Sequence, residues 1–224
     1  MKLKTTLIVL SSLTIGFASI NAATLAVSNV KDGPGDTLYA YQNNTLLDDG
    51  IVTIGYFASG ITQSQIDTVS ELQAILATPS NYIAVTTAVP GAVGSGVGDG
   101  YAESPGANIG IITTGNPLLG RTIYSIVTNR LSLADFASGS GVNNQVALVN
   151  IGTFQNDVPS EFTYSANPQA PATFVIGSLG SYEITDDSGL GNGTYSTLQM
   201  ASIPEPTALL LSAFGALALL RRKR

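Results

Sequence analysis

Short β-branched and aromatic runs, separated by clusters of Gly, Pro, Asn and Asp, constrain this chain more than any other feature. "TLAVSNV", "TLYAYQ", "NNTLLDDG", "GIVTIGYFAS" (50–59), "NYIAVTTAV", "ANIGIITT", "RTIYSIVTN", "QVALVNIGTF", "ATFVIGSLGSYEIT" and "TYSTLQMA" follow one another. Runs of this length, spaced about 10 to 15 residues apart, suit antiparallel pairing. They predict a mainly β fold, an antiparallel sandwich or barrel-like domain. One stretch departs from the period of two. "ITQSQIDTVSELQAILATPS" carries Ile66, Val69, Leu72, Ile75 and Leu76 at helical spacing. Thr62 with Gln65 forms a capping-box pair, and Pro79 stops the run. The spacing predicts one short amphipathic helix over about 63–77, its apolar stripe packed on the strands.

Such a fold needs a covered core and a wettable surface. Hydrophobic residues make up 44% of the 224 and charged residues only 11%, against roughly 25% charged in ordinary soluble domains. The surface must therefore be built from Ser, Thr, Asn, Gln and Gly. Charge is also unevenly placed. Residues 23–203 hold fourteen acidic and three basic side chains (Lys31, Arg121, Arg130), a formal charge of −11. That body repels phosphate backbones and argues against nucleic acid as a partner. The chain has no Cys and no His, which excludes disulfides, Cys-based zinc sites, thiol nucleophiles and His-based triads.

The remaining basic residues sit at the ends. The start, "MKLKTTLIVLSSLTIGFASINAATLAV", has Lys2 and Lys4, an apolar stretch over 7–18 and small residues at "ASINAA". This is the pattern of a secretory signal peptide over 1–22, cleaved after Ala22 or Ala23. At the other end, Pro204-Glu205-Pro206 precedes an uncharged stretch, 207–220, and then Arg221, Arg222, Lys223 and Arg224. Fourteen helical residues reach roughly 20 Å, short of the roughly 30 Å hydrocarbon core, a gap that snorkelling arginines and bilayer thinning can close. The basic cluster stops transfer on the cytoplasmic side. A transmembrane helix over 207–220 and a signal helix at the start thus flank the β domain of 23–202.

Triplet, apolar helix and basic end, in that order behind a signal peptide, resemble the PEP-CTERM sorting signal of Gram-negative bacteria. The resemblance covers residues 203–224. It implies recognition by an exosortase, a membrane-embedded cysteine transpeptidase-like enzyme. The precursor would be held transiently in the inner membrane, exported by the secretion machinery, and released to the cell surface or exopolysaccharide matrix. Extracellular polysaccharide is the partner such a location offers. Gly55-Tyr56-Phe57 followed by a short helix, and Leu119-Gly120-Arg121 leading a strand, are similar to other exported proteins of this kind. That likeness implies no activity.

Within the body, chemistry is hard to find. Asp48-Asp49 and Asp186-Asp187 lie beside glycines, where adjacent side chains of an extended chain point to opposite faces. They read as solvated turn residues, with a weak calcium site as the functional alternative. Neither matches an EF-hand loop. Lys31 lies in the turn "KDGPGD" and reads as a surface charge. Arg121 and Arg130 flank a predicted strand and are expected to pair with carboxylates or to bind an acidic group. "VPGAVGSGVGDGY" (89–101) reads as a mobile loop, not a phosphate cradle. Asn43 and Asn192 match the N-glycosylation pattern incidentally. The expectation is a non-enzymatic exported protein without cofactor or metal. A carbohydrate- or calcium-binding surface module and a polysaccharide hydrolase remain as alternatives.

Overall fold

A computed structural model describes residues 23–27, 37–89, 100, 102, 107–110, 112–141, 143–156, 163–165, 173–185 and 192–203. The fold is mainly β, with mostly antiparallel sheets. Its strands are β1 (Ala23–Ala26), β2 (Thr37–Ala40), β3 (Ile51–Phe57), β4 (Tyr82–Ala88), β5 (Ala107–Gly110), β6 (Thr122–Thr128), β7 (Gln145–Thr153), β8 (Thr163–Ser165), β9 (Thr173–Ile176), β10 (Ser178–Ile184), β11 (Gly193–Gln199) and β12 (Ala201–Ser202). The main sheet runs β12-β7-β6-β3-β4, with β9 also on β7. Two smaller sheets run β5-β1-β8 and β10-β11-β2.

Alternation along the central strands sends side chains to two faces. Val52, Ile54, Ile123, Val127, Ala147 and Val149 point to one face, where Leu25, Val27, Tyr39, Leu198 and Met200 from the other sheets complete a core. Phe57, Tyr124, Ile126, Val146 and Leu148 point to the opposite face and meet Ile66, Val69, Leu72, Leu76 and Phe136. Both faces are covered, so β6 is buried along almost its whole length. "RTIYSIVTN" accordingly places apolar residues on both faces, with Ser125 and Thr128 buried among them.

The single helix expected over 63–77 is two pieces. A 3-10 turn, Gln63–Gln65, is followed by a break and then α1 (Val69–Leu76). Thr62 donates its backbone N–H to Gln65 Oε1 at 2.9 Å, as the capping pair predicts. The α-helix itself starts from Thr68, whose Oγ1 accepts the Glu71 N–H at 3.2 Å and donates to Glu71 Oε2 at 2.7 Å. That second pair is the stronger start signal, since it satisfies an orphan N–H at the true helix end. A further helix, α2 (Leu133–Ser138), was not expected. Ser132 Oγ accepts the Asp135 N–H at 3.0 Å, and Phe136 anchors the helix in the core beneath α1.

"ATFVIGSLGSYEIT" is not one strand either. β9 pairs with β7 in the main sheet, while β10 pairs with β11 in a small one. The change occurs at Gly177, at φ 102°, where an added Cβ would lie 2.6 Å from the Gln199 carbonyl oxygen. Only glycine fits there without a backbone shift. β11 and β12 make the same change at Met200, so the hairpin bends as a unit from one sheet onto another. Two pairings are parallel rather than antiparallel, β1 with β8 and β11 with β2.

Candidate functional site

Two grooves among the described residues stand out, and neither is lined by a carboxylate. The larger, about 390 Å³, is lined by Tyr41, Gln42, Asn43, Asn143 and Gln145. Its two sides are tied by the Gln42 N–H, which donates to Gln145 Oε1 at 2.9 Å. The Tyr41 hydroxyl donates to Asp48 Oδ1 at 2.6 Å. Partial burial, then the bonded and negatively charged Asp48, push the Tyr41 phenol pKa up. The ring therefore stays neutral, beside amide groups that both donate and accept.

The second groove, about 350 Å³, lies where β3 ends and β6 begins. Gly55 and Tyr124 are the last paired residues, and beyond them the two chains part. Residues 57–63 line one side, and residues 120–122 with Tyr124 line the other. Arg121 is among the lining residues. Its guanidinium carbon lies 5.5 Å from the centre of the Tyr56 ring, a cation–π distance, and Nη2 donates to Ser59 Oγ. Tyr56 is held in turn by an edge contact from Phe154 at 5.8 Å. The backbone beside it is fixed as well. Gly120 N–H donates to the Phe154 carbonyl at 2.9 Å, and Phe154 N–H donates to the Arg121 carbonyl at 3.0 Å. Packing thus sets the guanidinium position before any ligand arrives.

Neither body arginine follows the expected pairing with a carboxylate among the described residues. Arg130 Nε donates to Asn144 Oδ1 at 2.9 Å, and Asn144 Nδ2 donates to the Phe136 carbonyl at 2.9 Å. Arg130 is a brace for α2. Asp48 and Asp49 are exposed turn residues as expected, with Asp49 Oδ1 accepting its neighbour's Gly50 N–H at 2.7 Å. Among the described residues no three acidic groups gather as a metal ion would require. Ala23 opens β1, opposite Gly110. Ala22, Lys31, Asp186, Asp187, Pro204, Glu205, Pro206, Arg221, Arg222, Lys223, Arg224 and most of the 89–101 loop lie outside the described residues. Among the described residues no helix is long and apolar enough to cross a membrane, and the helix expected over 207–220 lies outside them.

The sequence motifs Gly55-Tyr56-Phe57 and Leu119-Gly120-Arg121 meet in the second groove, although nothing in their spacing announced it. The amide groove had no sequence signal at all. Comparison with protein-family models, curated proteins and solved structures returned no match.

Proposed function

We propose that the chain is a non-enzymatic exported protein, a β-sandwich body carried to the cell surface or exopolysaccharide matrix by a PEP-CTERM-like signal. One observation carries the reading. Pro204-Glu205-Pro206, the uncharged stretch 207–220 and the Arg221-Arg222-Lys223-Arg224 cluster follow one another in that order, behind the Lys2/Lys4, apolar 7–18 and small-residue pattern of a signal peptide. Between those two segments lies a mainly β body, described from β1 at Ala23 to β12 at Ser202. A carbohydrate-binding module is the second reading, favoured by the amide-lined groove beside Tyr41. The hydrolase reading finds less support, since it needs two carboxylates facing across a groove and the described grooves contain none.

The test replaces Pro204-Glu205-Pro206 with three alanines and follows the chain by cell fractionation. The expected outcome is a longer species retained in the inner membrane. Normal shortening and release of the altered chain would end the sorting hypothesis.

A further inference from the structure

We infer that the Arg121 groove binds the carboxylate of an acidic sugar unit. The inference rests on the carbohydrate-binding reading and is independent of how the chain is sorted. A guanidinium has five N–H donors. One contact goes to Ser59, and among the described residues no carboxylate takes the others. In a body of charge −11, a cation at a groove that has no carboxylate partner among the described residues is placed to receive an anionic group.

The surroundings narrow the ligand. Tyr56 and Ser59 hold the planar fork in place, which suits two-point recognition of a carboxylate and lowers the ordering cost of binding. Ser59, Thr62 and Thr122 add hydroxyls and Gln63 adds an amide, groups that match sugar hydroxyls as donors and acceptors. Ile61 supplies apolar surface for a ring face. Gly60 and Gly120 also line the groove, and a Cβ added at either would meet no atom within 4 Å, so the walls stand open at both points. The remaining charge of the body sets a limit on the ligand. A polyanion is repelled at each of its charges, whereas one carboxylate reaching Arg121 gains a short-range contact. A saccharide with isolated carboxylates fits better than an acidic peptide or a phosphate polymer.

The test titrates the full chain, solubilised in detergent, with cellobiouronate, neutral cellobiose and a glycyl-glutamate dipeptide, by calorimetry and by following the arginine Nε–H resonances. Cellobiouronate is expected to bind saturably and shift the Arg121 Nε–H signal, with cellobiose at least about tenfold weaker. Arg121→Lys keeps the charge but loses the fork, and a loss of about tenfold is expected. Arg121→Gln should remove binding, while Leu179→Ala, at an exposed β10 side chain that lines neither groove, leaves it unchanged. Equal binding of cellobiose, tighter binding of the dipeptide, or an Arg121 signal that stays still at saturation overturns the inference. So does the absence of saturable binding at millimolar ligand. Because these are measurements on purified chain, their failure is distinct from a failure of the sorting experiment, and an unfolded Gln variant still leaves the wild-type resonance to decide.

Discussion

The two faces of the main sheet are covered in opposite ways. On one, α1 lies in the connection between β3 and β4, and α2 lies in the connection between β6 and β7. Each helix covers the sheet that its own flanking strands build. On the other face the cover comes from β1, β2 and β11, strands drawn from both ends of the described chain. The first arrangement needs only short loop closures, while the second waits on long ones. Similar burial is therefore reached by a local route on one side and a long-range route on the other.

The largest test of that contrast is at the hinge of the long-range face. Gly177→Ala forces a Cβ toward the Gln199 carbonyl at a backbone angle that L residues avoid. A loss of about 3 kcal/mol or more is expected in urea unfolding. A loss under about 1 kcal/mol would show that the corner can relax, and the two faces would then differ less than described. On the local face, Thr68→Ala removes the α1 cap, at an expected cost of about 1 kcal/mol. Amide exchange should quicken in α1 and leave β1 and β11 as they were. Exchange that quickens everywhere would make the helix part of one cooperative unit with the far face. The smallest effect is expected at Ser125, on the strand-covered face of β6. Its Oγ is buried with no hydrogen-bond partner among the described residues. Ser125→Ala removes an unsatisfied hydroxyl and should be neutral or stabilising by about 0.5 kcal/mol. A clear loss of stability in the melting curve would reveal a partner for the hydroxyl.

The same contrast separates what the sequence disclosed from what it concealed. The central strands were legible because "GIVTIGYFAS" and "RTIYSIVTN" are apolar on both faces. α1 was legible from Val69, Leu72 and Leu76, although its start was placed one capping pair too early, at Thr62 instead of Thr68. α2 carries the same kind of signal in Ser132 and Asp135, but six residues give too short a period to stand out. The bend at Gly177 and the parallel pairing of β11 with β2 depend on contacts across the whole chain, and no local pattern encodes them. The grooves share that property. Arg121 meets Ser59 from 62 positions away, and Gln42 meets Gln145 from 103.

β12 is the last of the described strands. Among the described residues β12 pairs through Ala201 with Val146 and Ser202 with Gln145, and the Ile203 N–H adds a bond of 3.3 Å to the Asn144 carbonyl. Two residue pairs are a short seam. Tension on the C-terminal end falls first on that seam, which opens residue by residue and lengthens the exit by a few ångströms per residue. The bent hairpin at Gly177 and Met200 takes the load only afterwards. The end of the body thus behaves as a compliant leader ahead of a stiff one, separating strain on the outgoing chain from the sheets behind it.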